Sequence, residues 1–235
     1  MADKRIVILT GAGISAESGI ATFRASDGLW ENHRVEDVAT PEGFARNPKL
    51  VHEFYNARRA RLHDADVQPN AAHIALARLQ QALPGRVTLV TQNVDDLHER
   101  AGSTEVLHMH GSLLALRCLY CDSVAHDWHG DCSQQTVCPT CKRAGGMRPD
   151  IVWFGEMPYY METIEEKLER CTHFAAIGTS GHVYPAAGFT ALARHYGADI
   201  SEINLEPGAG AAQFHHVYSG KATVEVPRWV DSMLN

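Results

Sequence analysis

The sequence predicts an α/β fold, namely a doubly wound parallel (Rossmann-like) sheet with a smaller lobe made of a zinc ribbon and a helical insert. Apolar, β-branched runs typical of buried strands alternate with helical segments along most of the chain. Two CxxC pairs interrupt this alternation, and a longer helical stretch precedes them. We expect a Rossmann-like domain at residues 1–30, 74–115 and 146–235, a helical insert at 31–73 and a zinc-ribbon module at 116–145.

Composition excludes several classes of protein. The chain has 235 residues, a net charge of −7 and a pI near 6.0, which argue against a general nucleic-acid binder with a basic face. No apolar run is long enough for a membrane span, and no signal-peptide pattern precedes the first strand. We therefore expect a cytoplasmic protein whose six cysteines do not form disulfides.

The first strand and the turn after it predict a phosphate site. The apolar run 6–9 leads into Gly11-Ala12-Gly13, and residues 15–18 are expected to begin a helix. Such a turn lets the backbone approach a ligand, and the N–H groups of a helix end point at its negative charge. Gly11, Gly13 and Ala16 fit the dinucleotide pattern G-x-G-x-x-G/A, although a tight turn without a ligand explains this pattern equally well. The polar stretch 25–31 contains no second strand, which argues against a hydride-transferring dehydrogenase.

Helices are predicted next. A short helical region begins at Pro41, and residues 50–62 predict an amphipathic helix with arginines 58, 59 and 61 on a solvated basic face. Asn70 is expected to cap a helix over 71–83, whose apolar stripe consists of Ile74, Leu76, Leu79 and Leu83.

Polar side chains follow the second buried strand, residues 87–91. Gln92, Asn93 and Asp95 lie at the carboxyl end of this strand, where ligands bind in parallel sheets, although Asp95 could also cap a helix. A short strand over 106–110 places His108 and His110 on one face. With His98 they offer an alternative three-histidine zinc site.

The four cysteines 118, 121, 138 and 141 form two CxxC knuckles separated by residues 122–137. This spacing is typical of a tetrathiolate zinc ribbon, and four thiolates leave no open position on the metal. Two disulfides are the alternative. Cys132 and Cys171 fit neither knuckle and are expected to be ordinary thiols.

The remaining elements alternate again. Strands are predicted at 149–156, 174–177 and 201–205, and helices at 161–170 and 186–196. Small or polar residues follow the last two strands, at 178–180 and at Asn204 and Glu206, and a late turn lies at 220–222.

Several of these segments resemble the sirtuin family of NAD-dependent protein deacylases. The matching segments are GAGISAESGIATFR (11–24), TQNVDDLHERAG (91–102), HGS (110–112), the four cysteines and FGE (154–156). The resemblance covers nearly the whole chain and is closest to the short bacterial enzymes of the CobB type, in class III. Ala21 departs from the family pattern, which usually has proline there.

The resemblance implies removal of acyl groups from protein lysine, with NAD consumed and nicotinamide and O-acyl-ADP-ribose released. It makes His110 the general base, Asn93 the residue that orients ribose and water, and Asp95 the residue that holds the nicotinamide carboxamide. It also implies one structural zinc. The implied NAD-binding residues are Gly11, Ala12, Gly13, Ser15, Glu17, Thr22, Phe23, Arg24, Trp30, Gln92, Asn93, Val94, Asp95, Gly178, Thr179, Ser180, Asn204, Leu205, Glu206 and Ala222.

The implied substrates are acylated lysine side chains of proteins. A Tyr-x-x-Arg pair matching Tyr55 and Arg58, with a small residue matching Ala39, recognises acyl groups that end in a carboxylate, so desuccinylase and demalonylase activities are expected beside deacetylation. The alternatives are a sirtuin-fold ADP-ribosyltransferase and a non-catalytic NAD-sensing module. We expect a monomer without a nucleic-acid or membrane partner. The peptide would lie between two segments, one with Val152, Phe154, Gly155 and Glu156 and the other with Gly181, His182 and Val183.

Overall fold

The computed structural model describes residues 4–21, 29–30, 33–208 and 210–235. Its helices are α1 (Val35–Val38), α2 (Pro41–Arg46), α3 (Pro48–Arg61), α4 (Ala71–Ala82), α5 (Leu97–Arg100), α6 (Met161–Arg170), α7 (Phe189–His195) and α8 (Ala222–Leu234). Its strands are β1 (Ile6–Thr10), β2 (Leu29–Trp30), β3 (His33–Arg34), β4 (Val87–Thr91), β5 (Val106–His108), β6 (Gly111–Cys118), β7 (Val124–Ala125), β8 (Met147–Ile151), β9 (His173–Ile177), β10 (Asp199–Asn204) and β11 (His216–Ser219).

The largest sheet is parallel, which confirms the predicted fold class. Its strand order in the described part of the chain is β11-β10-β9-β1-β4-β5. Alternate residues of β1 face opposite sides: Ile6 and Ile8 belong to a core with α4 and α8, whereas Val7 and Leu9 belong to a core with α6 and α7. Helices therefore cover both faces of the sheet, as in a doubly wound fold.

The edge at which the carboxyl ends of the strands meet positions the site. Thr10 at the end of β1 is level with Thr91 of β4 on one side and Ile177 of β9 on the other. After β1 the chain adds β4 and β5 on one side of β1, and later β9 to β11 on its other side. The direction in which strands are added therefore reverses at β1. Ligands of open α/β sheets bind in the crevice at this point.

A smaller antiparallel sheet lies beside the parallel one. Its order is β7-β6-β8, and it carries the four cysteines of the CxxC pairs near one end. α1 and α3 pack against its other end, where Val51 and Phe54 join Leu113 and Ile151 in one apolar cluster. In the described residues, no helix is both long and apolar enough to cross a bilayer.

Three predicted elements differ in the structure. In the described residues 11–21 no α-helix follows the glycine turn; two short 3₁₀ turns occupy Ala12–Ile14 and Ala16–Ser18, and Gly19 ends the second with φ of 80°. The strand expected at 149–156 ends at Ile151, and Gly155 has φ of 91°. Strand β11 and helix α8 were not predicted, because β11 is largely exposed and lacks an apolar pattern.

The basic face expected on α3 is wrong. Arg58 and Arg59 are 8% and 1% exposed, whereas Arg61 lies at the surface with Asp64 and Asp66. The cost of burying Arg59 is offset in part by hydrogen bonds, including one from Nε to the Leu113 carbonyl at 2.7 Å. On α4 the expected apolar stripe is also incomplete, since Ile74 is exposed.

Candidate active site

An open cleft of about 870 Å³ lies along the carboxyl edge of the parallel sheet. This volume is within the range of roughly 300–1,000 Å³ of small-molecule and cofactor sites. Residues predicted to bind a ligand dominate its lining: Gly11, Ala12, Gly13, Glu17, Trp30, Ala39, Tyr55, Gln92, Asn93, Val94, Asp95, His110, Val152, Phe154, Gly155, Glu156, Gly178, Thr179, Ser180, His182, Val183, Asn204, Leu205, Glu206 and Ala222.

Some predicted site residues do not line this cleft. Ser15 and Arg58 lie behind its wall, and Gly181 lines a smaller neighbouring cavity. Thr22, Phe23 and Arg24 fall outside the described residues.

The glycine turn after β1 is needed for the close packing of two loops. A Cβ atom on Gly13 would lie 2.7 Å from Gly178 Cα, and one on Gly11 would lie 2.8 Å from the Gly178 carbonyl oxygen. Both contacts are too short for any side chain, so only glycine fits at positions 11 and 13. The turn is thereby held directly beside the end of β9, where Gly13 N–H also donates to Gly178 O at 2.9 Å.

Ser15 joins the two polar residues at the end of β4. Its hydroxyl accepts from Asn93 Nδ2 at 3.1 Å and donates to Asp95 Oδ2 at 3.0 Å. The other carboxylate oxygen of Asp95 accepts from Leu97 N–H at 3.1 Å, but the N-cap of α5 is Asp96 and not Asp95 as the alternative expected. These bonds fix the orientation of both side chains before any ligand arrives.

Burial changes the acidity of Asp95. The side chain is 5% exposed, and this burial raises its pKa to about 6, although the Leu97 and Ser15 bonds act in the opposite direction. A carboxylate kept ionised at neutral pH in such a place suits recognition of a polar ligand group by hydrogen bonds.

His108 supplies a positive charge next to this carboxylate. Its Nδ1 lies 3.2 Å from the Asn93 carbonyl oxygen and its Nε2 lies 2.7 Å from Glu99 Oε1. Since both partners are acceptors, both ring nitrogens carry hydrogen. Burial lowers the pKa of His108, but the Glu99 carboxylate outweighs this and raises it above its usual value.

His110 has the opposite character. Its Nδ1 lies 3.2 Å from the carbonyl oxygen of Gln92, which only accepts, so the hydrogen of the neutral ring is on Nδ1 and Nε2 carries a lone pair. Burial lowers its pKa below the usual value, partly opposed by that hydrogen bond. The ring lines the cleft and is therefore a neutral base at physiological pH.

Two buried histidines lie beneath the site; the sequence did not single out His73, and it indicated His98 only as an alternative zinc ligand. His73 Nε2 lies 3.4 Å from Ser15 Oγ, and His98 Nε2 lies 3.0 Å from Thr10 Oγ1. Burial lowers the pKa of His73 to about 4 and that of His98 well below its usual value, so both are neutral supports. The sequence signal for His73 was its position three residues after the Asn70 cap, where it completes a capping box.

Two further residues of the implied NAD-binding set, Asn204 and Glu17, are held in place by side-chain hydrogen bonds. Asn204 Nδ2 donates to the Thr179 carbonyl at 3.1 Å and to Glu202 Oε1 at 3.0 Å. Glu17 accepts from both N–H and Oγ1 of Thr223, each at 3.1 Å, and so ties the glycine turn to the start of α8.

The opposite end of the cleft is aromatic and contains the tyrosine of the Tyr-x-x-Arg pair. Tyr55 lines it with no exposed surface, next to Trp30 and Ala39. The Arg58 guanidinium stacks on the rings of Phe54, 3.1 Å from the centroid, and Trp30, 5.1 Å from the centroid. Arg58 thus places its charge immediately behind the aromatic wall.

A separate group of four sulfurs lies outside the cleft. The ligand atoms of the cysteines at 118, 121, 138 and 141 all lie within 4.8 Å of one another, and the Cys118–Cys141 and Cys121–Cys138 pairs are each 3.7 Å apart. Four Zn–S bonds of about 2.3 Å in a tetrahedron separate sulfurs by about 3.8 Å, so the group fits zinc. In the described residues no histidine group has this geometry, which makes the alternative site with His98 wrong.

The other two cysteines behave as expected. Cys132 and Cys171 are 1% and 5% exposed, and burial raises the pKa of both thiols, that of Cys171 to about 11. Neither belongs to the four-sulfur group.

Comparisons with known proteins agree with this geometry. A model of the Sir2 family matches residues 11–185. The chain is 56% identical over 230 residues to the NAD-dependent protein deacylase of Pasteurella multocida (strain Pm70), covering 98% of both chains. It is similar to the crystal structure of a Sir2 homolog–NAD complex (39% identity, TM-score 0.86, 99% of this chain and 91% of that one) and to a Sir2–p53 peptide–NAD+ structure (26% identity, TM-score 0.79, 97% and 93%).

Proposed function

This chain belongs to the Sir2 family and is an NAD-dependent protein deacylase, and we propose that acyl groups ending in a carboxylate, such as succinyl and malonyl, are among those it removes from lysine. Acetyl is a further substrate, because it is small enough to enter the same site. The observation that carries the proposal is the hydroxyl of Tyr55 at the cleft wall, with the Arg58 guanidinium packed directly behind that wall.

The cleft suits NAD in size and in donor set. NAD, when bound, would supply the ribose carbon that takes the acyl oxygen as nicotinamide leaves, and one water molecule would be consumed as the bond from the acyl carbon to the lysine nitrogen breaks, so the products are nicotinamide, free lysine and O-acyl-ADP-ribose. Residues 11–13 and 178–180 and Asn204 would hold the phosphates and the adenosine ribose at the sheet edge. Asp95 would accept from the nicotinamide carboxamide, and Asn93 would orient the second ribose and a water molecule.

His110 acts as the general base. Its Nε2 lone pair faces away from the Gln92 carbonyl, and its lowered pKa keeps the ring neutral, so it accepts a proton from a ribose hydroxyl. The adjacent backbone couples the base to the substrate segment, because Val152 N–H donates to the His110 carbonyl at 2.9 Å.

The acylated lysine would enter with its peptide as an added strand between residues 152–156 and 181–183. Backbone hydrogen bonds in such a complex give affinity with little dependence on sequence. The protein would act as a cytoplasmic monomer without a nucleic-acid or membrane partner, in keeping with its net charge of −7. The helical insert at 31–73 would contribute Ala39 and Tyr55 to the second wall of the cleft, and the zinc ribbon at 116–145 would support this insert from outside the cleft.

The acyl specificity follows from the chemistry of the pair. A guanidinium binds a carboxylate through two charge-assisted hydrogen bonds, and a phenol adds a third. Hydrogen bonds to charged groups contribute about 1.5–3 kcal/mol each. Acetyl ends in a methyl group and gains none of them, whereas Ala39 leaves room for the longer acyl chain.

The test is the ratio of kcat/KM for succinyl- and acetyl-lysine versions of one peptide, measured by mass spectrometry. Arg58→Met combined with Tyr55→Phe should lower this ratio about 10³–10⁶-fold, the loss of three such bonds. Arg61→Met is the matched control, because Arg61 lies on the same helix at the surface and should leave the ratio unchanged. Equal loss of both activities in the double variant, or no succinyl turnover by the wild type, would contradict the proposal.

A further inference from the structure

Trp153 forms the back of the aromatic end of the cleft and contacts the tyrosine of the Tyr-x-x-Arg pair. It is 2% exposed, and its indole Nε1–H donates to the hydroxyl oxygen of Tyr55 at 3.0 Å. An indole nitrogen only donates, so the direction of this hydrogen bond is fixed. Sequence patterns did not single out Trp153, because it reads as one apolar residue of the strand predicted at 149–156.

The fixed direction decides where the Tyr55 hydrogen goes. A phenol has one hydrogen, and it cannot point at a group that is itself donating. Among the residues that the structure describes, none accepts a hydrogen bond from this hydroxyl. Burial raises the pKa of Tyr55, so the hydrogen stays in place at physiological pH. The remaining direction is toward the cleft that Tyr55 lines.

We propose that Trp153 is a specificity-determining positioning residue, which orients the Tyr55 hydroxyl so that it donates to the carboxylate of a succinyl or malonyl group. The inference rests on the proposed function and deepens it. Without the indole N–H, the hydroxyl can rotate or take a water as its partner, and it loses its fixed role as a donor. The indole bond also polarises the phenol and strengthens the hydrogen bond that it makes with an anion.

The position of Trp153 is itself set by a partly buried ion pair. The Arg148 guanidinium lies 3.4 Å from the centroid of the indole ring and binds both oxygens of Glu156, at 2.7 and 3.0 Å. Glu156 Oε2 also accepts from the backbone N–H of Trp153 at 2.8 Å. Phe44 packs against the other part of the ring, with centroids 5.3 Å apart. The indole therefore cannot turn away from Tyr55 without breaking these contacts.

The first experiment replaces the indole by a ring that has no donor. Trp153→Phe should lower the succinyl-to-acetyl ratio of kcat/KM about 3- to 10-fold, the effect of one neutral hydrogen bond. The change should fall on KM for the succinyl peptide, because a bond made equally in the ground and transition states alters KM and leaves kcat unchanged. An unchanged ratio would overturn the proposal.

A double-mutant cycle separates positioning from loss of packing. If Trp153 acts through the Tyr55 hydroxyl, Trp153→Phe should have no further effect on the ratio when Tyr55→Phe is already present. Two effects that multiply independently would show that Trp153 shapes the cleft without directing Tyr55, and would overturn the proposal.

A second variant guards against misfolding. Incorporation of 3-benzothienylalanine at position 153 keeps the bicyclic shape and replaces the N–H group by sulfur. It should lower the succinyl-to-acetyl ratio of kcat/KM as much as Trp153→Phe does. A wild-type ratio would overturn the proposal. If Tyr55→Phe lowers the ratio but neither change at position 153 does, this inference fails while the proposed function stands. Absence of succinyl turnover by the wild type would remove both.

Discussion

Asp95 offers a stability prediction whose sign is set by its burial. Its pKa rises from 3.8 to about 6 on folding, so the folded chain holds this proton more tightly than the unfolded chain. The contribution of Asp95 to the free energy of unfolding is therefore fully present below about pH 3.8, and it is lost as the pH rises through about 6. At 1.36 kcal/mol per unit, the ionised carboxylate costs the wild type about 3 kcal/mol at pH 8 and about 1.6 kcal/mol at pH 5.

The Asp95→Asn change removes that cost and disturbs one hydrogen bond. The amide oxygen still accepts from Leu97 N–H, but the amide nitrogen now faces Ser15 Oγ, whose hydrogen loses its acceptor. This loss costs about 1 kcal/mol. The variant should therefore be more stable than the wild type by about 2 kcal/mol at pH 8 and by less than about 1 kcal/mol at pH 5.

The assay is urea unfolding of both proteins at several pH values between 5 and 8, with zinc bound. At pH 8 the gain corresponds to a rise in Tm of about 4–8 °C. Asp96→Asn, which removes one negative charge from the neighbouring and more exposed position, is the control. A variant that is less stable than the wild type at pH 8, or a gain that is the same at pH 5 and pH 8, would refute the account of Asp95. Turnover should fall, because the same carboxylate serves the proposed nicotinamide site.

Two further predictions concern the zinc group and the base. Cys118→Ala should lose zinc and at least about 4 kcal/mol of stability, or about 10 °C in Tm, because the binding energy of a closed site is folding energy. The control Cys132→Ala should keep one zinc per chain. Metal analysis and calorimetry test this prediction, and a zinc-free variant of full stability would contradict it. His110→Ala should lower the rate of deacylation about 10²–10⁴-fold while NAD still binds. Peptide turnover measures the rate, and calorimetric titration measures NAD binding. Near-wild-type turnover at neutral pH would rule out His110 as the base.

The sequence by itself determined the fold class and the edge of the sheet at which the candidate site lies. Apolar runs such as 6–9 and 87–91 indicate buried strands. The polar residues that follow these strands lie at one edge of the sheet, because the carboxyl ends of parallel strands meet there. The zinc group was equally readable, since two CxxC knuckles place four thiolates by local geometry alone. These features depend on residues near one another in the chain, which is why patterns reveal them.

Only the tertiary structure decided how individual side chains are used. Arg58 and Arg59 read as a solvated face, but the Trp30 ring covers Arg58 and the Leu113 carbonyl binds Arg59, and both partners belong to other elements. Ser15 read as a ligand contact, but it lies beneath Asn93 and Asp95 and orients them.

Trp153 and Tyr55 make the same point most directly. They are 98 residues apart, and nothing in the spacing of either segment indicates that an indole donates to a phenol. The partner of a hydrogen bond, and hence the direction in which a hydroxyl donates, is fixed by contacts between distant elements. Such contacts decide protonation, tautomer and specificity, and they exist only once the chain is folded.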